Sequence, residues 1–161
     1  MRDLCTTYYV SSRTGNDAND GKSREHAFAT LSAVNRLTLR PGDNVLLEAG
    51  SVFAGQYLRI TSSGTKDAPI VIRSYGEGDL PRIDAEGNGI WYQDYGQPLD
   101  SPTHVYRDYV SSSVLLYDAE YVTVQDLEIT NRGTEIPGET YSAPHKMNRT
   151  GVAVVAKDRG V

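Results

Sequence analysis

Cysteine occurs once in the 161 residues, at Cys5. A lone thiol excludes an internal disulfide and any cysteine-built zinc site, because each needs partner thiolates. Cys5 has no His beside it in the sequence, so an incidental thiol is favoured over a nucleophile. Long apolar runs are also missing. Nothing approaches the ~20 residues needed to cross a bilayer, and no membrane partner is expected. A basic excess is lacking too: 16 Lys and Arg stand against 21 Asp and Glu, a formal net charge of −5, and the cations are scattered. Phosphate neutralisation needs clustered cations, so no nucleic-acid partner is expected. The acidic balance also disfavours a sulfated or uronate-rich polymer relative to a neutral ligand. The opening "MRDLCTTYYV" has no apolar core of a secretory leader. The expected location is the cytoplasm if this start is native, and the cell exterior if a leader has been removed.

What remains, with 39% hydrophobic and 23% charged residues, suits one globular domain. Short β-branched and aromatic stretches punctuated by Gly, Pro, Asn and Asp dominate it. The spacing predicts strands over 6–12, 44–48, 55–60, 68–76, 81–85, 113–118, 121–131 and 151–160. One helix stands out, with Thr30 as its cap and Leu31, Val34 and Leu37 on the buried side. Between the first strand and that helix lies "GNDANDG", Gly15 to Gly21. It fits the calcium-loop pattern poorly, because Ala18 and Ala27 fall where oxygen ligands are required. A connector is the favoured reading, since Asn and Asp bond their own backbone and glycine accepts positive φ.

Many brief strands without intervening helices are compatible with a sandwich, a barrel or a solenoid. The triplets "VTV" (122–124) and "LEI" (127–129) are separated only by Gln125 and Asp126, which suits a corner between two faces of a coil. No Asn-Gly or Asp-Gly pair sits between two strands, as an antiparallel meander would favour. Two intervals break the rhythm, 86–112 and 132–150, and long excursions from compact domains are usually functional.

Several stretches carry a resemblance. "YYVSSRTGNDANDGKSREHAFATLSAVNRLTLRPGDNVLLEAGSVF", "GTKDAPIVIRSYGEGDLPRIDA" and "YVTVQDLEITN" resemble the amino-terminal part of the right-handed parallel β-helix proteins of the pectate-lyase-like superfamily. Within it, "AVNRLTLRPGDNVLL", "YGEGDLPRIDA" and "RTGVAVVAKDRG" are most similar to β-helix glycoside hydrolases of the lacto-N-biosidase type. The resemblance implies an all-β right-handed parallel β-helix (solenoid), of which 1–161 is the amino-terminal part: a cap over 1–40 and first coils over 41–161. In the superfamily an early helix plugs the open end and the reaction occurs on later coils, so no catalytic residue, metal or cofactor is expected here. Leu31, Val34 and Leu37 would form the plug, which hides an apolar cross-section and open strand edges. An unfinished stack is expected to self-associate or to pair with a continuing β-helix chain.

The superfamily also holds polysaccharide lyases and binding proteins, so three functions stay open: a glycoside hydrolase portion that is inactive alone, a lyase, and a non-catalytic carbohydrate-binding module. The expected partner in each is an oligosaccharide or polysaccharide. Glycoside hydrolysis needs two placed carboxyl groups. Asp84, Glu86, Asp94, Asp118, Asp126 and Glu128 are candidates, and a solvated face is favoured for each. Substrate binding falls on Trp91, Tyr92, Gln93, Asp94 and Tyr95, because aromatic faces stack on sugar C–H surfaces while the amide and carboxylate bond hydroxyls. Packing of these rings against the coil is an equal alternative, and Tyr106 and Tyr109 are weaker versions of the same case. His26, His104 and His145 lack metal spacing, and the sequon at Asn148 matters only on a eukaryotic secretory route.

Overall fold

The structure, a computed structural model, describes residues 5–94, 107–133 and 148–157. Its strands are β1 (Thr7–Val10), β2 (Asn44–Glu48), β3 (Val52–Ala54), β4 (Leu58–Ile60), β5 (Ile70–Tyr75), β6 (Arg82–Asp84), β7 (Ile90–Asp94), β8 (Arg107–Tyr117), β9 (Val122–Val124), β10 (Glu128–Thr130) and β11 (Asn148–Val155). A single short helix, α1 (Leu31–Asn35), completes the described elements.

Three sheets form, with strand orders β1-β2-β5-β9, β10-β6-β3 and β11-β8-β4. Every pair along these orders is parallel. After β1 and α1, the chain visits the three sheets in turn: β2, β3, β4, then β5, β6, β8, then β9, β10, β11. Each circuit therefore adds one strand to each sheet. Because parallel partners are in register, side chains of like character stack in columns across the sheet. Val45 pairs Ile72, which pairs Val124. Phe53 pairs Ile83, which pairs Ile129. Leu58 pairs Val114, which pairs Val152. Val45, Ile72, Phe53, Ile83, Leu58 and Val114 are fully buried, and these columns are the core.

Corners form where the backbone can turn sharply. Asp126 holds φ of 55° between β9 and β10, at the corner expected from sequence, and Asp is among the few L-residues that visit this region. The "GNDANDG" stretch is the connector. Asn16 Oδ1 accepts from the Ala18 amide, Asp20 Oδ1 from Lys22, and Asn19 Nδ2 donates to the Ala27 carbonyl. Asp17 reaches furthest, accepting from the amides of Ala29 and Thr30 at 2.8 and 3.0 Å and from the Thr30 hydroxyl. Gly15 lies so close to Phe28 that a Cβ would stand 2.1 Å from its carbonyl oxygen. Thr30 Oγ1 then caps α1 through the Ala33 amide. Leu31 and Val34 are buried, while Leu37 lies beyond the helix and packs against the core from a partly buried position.

Three features differ from the sequence reading. Strand β3 was not expected, because three residues with only Phe53 turned inward offer no periodicity to read. Strands β8 and β11 both begin earlier than expected, inside the two intervals taken as excursions. The first of these intervals also carries an antiparallel pair, β7 with β8, matching Ile90–Asp94 to Ser111–Arg107. That hairpin has no two-residue turn to announce it.

Burial predicts unequal losses at adjacent positions of β3. Phe53→Ala should cost about 3–5 kcal/mol in urea unfolding, whereas Val52→Ala, at a position 44% exposed, should cost under about 1 kcal/mol. Equal effects would mean β3 is placed wrongly.

Candidate functional site

The β7–β8 hairpin brings most of the aromatic candidates together. Alternation along β7 places Trp91 and Gln93 on one face and Ile90, Tyr92 and Asp94 on the other. Trp91 is half-buried, and its Nε1 donates to Ser112 Oγ at 2.8 Å. Ser112 Oγ in turn meets Thr150 Oγ1 at 2.7 Å. Tyr92 and its cross-strand partner Tyr109 are both exposed and pack edge to face with centroids 5.1 Å apart. Asp94 accepts from Arg107 Nε at 2.9 Å, closing the hairpin with an exposed ion pair.

A cleft of about 590 Å³ lies along this hairpin. Trp91, Tyr92, Gln93 and Asp94 of β7 line it together with Tyr117 and residues of and after β11, among them Ala153, Val155 and Lys157. Aromatic surface beside an amide, a carboxylate and an ammonium is a combination suited to a hydroxyl-rich ligand with apolar faces. Tyr95, Tyr106, His104 and His145 lie outside the described residues. His26 is bonded locally, Nδ1 to Ser23 Oγ at 3.1 Å. Among the described residues no three His, Cys, Asp or Glu side chains come together as a metal site.

The carboxylate candidates separate into distinct roles. Asp126 and Glu128 are exposed, as expected, and Glu128 lies 3.9 Å from Arg82 across β10 and β6. Asp118 Oδ1 accepts from the Lys157 amide at 2.6 Å. Asp84 corrects the expectation of a solvated face: it is fully buried. The carboxylate accepts from the Arg132 amide at 3.0 Å, from Arg132 Nε, and from the Glu86 amide at 3.2 Å. Burial opposes its ionisation, but the donors of Arg132 and Glu86 outweigh that effect and hold its pKa at about 2, below the ordinary 3.8. A group ionised throughout the neutral range cannot serve as a proton donor there, and the burial of Asp84 and its bonds to Arg132 and the Glu86 amide make it a structural anchor.

Sequence reasoning also missed the polar seam around Asp84. Ser111, Ser112 and Ser113 are consecutive in β8 and all fully buried. Ser113 Oγ donates to the Thr130 carbonyl and accepts from the Ala85 amide. The available signal was the unbroken "SSS" before "VLLY", since three adjacent serines entering an apolar strand need partners on both faces.

The lowered Asp84 pKa makes the fold acid-sensitive in a defined window. A depressed folded-state value contributes stability that is complete above about pH 4 and is lost as pH falls toward about 2. At pH 7, Asp84→Asn should lose about 2 kcal/mol. Urea midpoints of the two proteins should converge near pH 2, and a gap independent of pH would contradict the assignment.

No family model matches the chain. It is 39% identical to a lacto-N-biosidase of Bifidobacterium longum subsp. longum over 176 aligned residues, covering 95% of this chain and 11% of that protein. Two crystal structures of GH136 lacto-N-biosidase from Eubacterium ramulus, native and selenomethionine-labelled, are each 62% identical with a TM-score of 0.89. They cover 96% of this chain and 25% of theirs, so the chain spans at most a quarter of the length of these relatives. Over almost its whole length, the chain is a homologue of lacto-N-biosidases, which are glycoside hydrolases.

Proposed function

We propose that this chain is the amino-terminal β-helix portion of a glycan-cleaving glycoside hydrolase, in which 1–40 cap the stack and 41–161 form its first coils. The cleft along β7, lined by Trp91, Tyr92, Gln93 and Asp94, forms part of the sugar groove, and Tyr95, next in the sequence, is counted with them as substrate-binding. The observation that carries this reading is the seating of Trp91: its indole lines the cleft while its N–H is tied to Ser112, a rigid platform for a sugar face. Cyclic visits to three parallel sheets support a β-helix, and the near-universal right-handedness of parallel crossovers supports its hand.

In this reading the reacting groups belong to parts of the relatives that this chain does not match. Asp84 is buried and held ionised by Arg132, so it is no proton donor at neutral pH, and Asp94 is paired with Arg107. Val152 and Val154 are exposed although their register partners Val114 and Leu116 are in the core. Their position supports a further β-helix coil stacking on β11.

Calorimetric titration and a hydrolysis screen test the proposal on the same chain. Neutral type I chain oligosaccharides should bind without turnover, and Trp91→Ala should weaken binding by about tenfold or more, which is about 1.4 kcal/mol. Measurable hydrolysis would overturn the claim that the reacting groups lie elsewhere. Binding confined to uronate polymers would point to a lyase instead.

A further inference from the structure

Both long intervals, 86–112 and 132–150, leave and rejoin the sheets at one corner, and a single side chain touches three of those four junctions. Asn131, directly after β10, donates through Nδ2 to the Ser111 carbonyl at 3.1 Å, to Ser111 Oγ at 2.9 Å and to the Thr150 carbonyl at 3.0 Å. Its Oδ1 accepts from the Gly87 amide at 3.0 Å. Since an amide N–H can only donate and a carbonyl can only accept, these partners fix the orientation of the Asn131 amide. Gly87 stands at the start of the first interval, Ser111 at its end and Thr150 at the end of the second. The fourth junction is the neighbouring Arg132, whose amide and Nε are held by Asp84. Arg149 closes the ring by donating to the Arg132 carbonyl.

The same corner carries Trp91. Ser112, next to Ser111, accepts from the Trp91 indole and meets the Thr150 hydroxyl. Strand β7 itself begins three residues after Gly87. We propose that Asn131 is a positioning residue: it locks the junctions of both intervals together and so holds Trp91 at a fixed distance from β11 across the cleft. The consequence for glycan binding rests on the function proposed above, but the lock itself does not. A half-buried amide whose donors and acceptor are all engaged favours one arrangement, and a nearly isosteric change that replaces its donors with acceptors removes that arrangement without creating a cavity.

Asn131→Asp makes that change, turning acceptor atoms toward the Ser111 and Thr150 carbonyls. Amide hydrogen exchange of the unliganded full chain reads the lock. Exchange should quicken together at 87–91, 111–112 and 148–150, by about fivefold or more, as expected for the loss of one hydrogen bond worth about 1 kcal/mol. Exchange in β2 and β5 should stay unchanged. Trp91, the single tryptophan, should show red-shifted emission and readier quenching by acrylamide. If Asn131→Asp does not fold, Ser111→Ala, which removes one acceptor of Asn131 together with the Ser111 hydroxyl's own bond to the Asn88 carbonyl, should quicken exchange at 148–150 as well as at 87–91, more weakly. Acceleration at one interval alone, or evenly across all sheets, would overturn the proposal. Failure of oligosaccharides to bind the parent chain would count against the proposed function and leave the lock standing.

Discussion

In-register parallel pairing is the constraint on which the rest depends. Once β2, β5 and β9 share one register, every residue of one strand dictates the character of the residue beside it in the next. An apolar column such as Val45–Ile72–Val124 can persist only while each circuit returns the chain in step. A slip by one position would turn each column outward. The corners keep that step, which is why left-handed backbone recurs at Gly50, Gly55, Asp118, Tyr121 and Asp126 between strands. Tyr121 is the least comfortable of these, being neither glycine nor Asx, and the turn is held by the Ile70 amide on the Tyr121 carbonyl and the Gly64 amide on the Glu120 carbonyl.

Where the chain departs from the stack it needs polar anchors. The corner beneath both intervals is lined by Asp84, Ser111, Ser112, Ser113 and Asn131 instead of aliphatic side chains. Buried polar groups are costly unless paired, and here nearly every one has a named partner. An apolar corner would have tolerated several positions of the departing segments. The hydrogen-bonded one defines a single position, and a wall for a ligand requires that definition.

Much of the stack was legible in the residues. Strand β2 matches 44–48, because a Pro-Gly-Asp turn precedes an unbroken apolar run. The Thr30 cap and the Asp126 corner were also readable, each from one residue type in one local pattern. Strand β3 was not, since three residues with one inward side chain fall below any periodic signal. The hairpin was not, because β7 pairs with β8 across a long interval and β8 changes partner from β7 to β4 along its length. Asp84 was misjudged because nothing local in the sequence tells that Arg132, 48 residues later, returns to bond its carboxylate. Alternation reports which way a side chain turns and is silent on what covers it.

Of the proposed binding residues, β7 presents four around one cleft, and their placement follows from the hairpin and the serines beneath it. The stack beneath that hairpin decides whether the cleft exists at all. Interstrand proton contacts measured by NMR test it most directly. Contacts from β2 to β5 and from β5 to β9 should advance in the same direction along each pair, joining Val45 to Ile72 and Ile72 to Val124. Contacts running in opposite directions along those pairs would contradict the stack, and with it the cleft and the proposed groove.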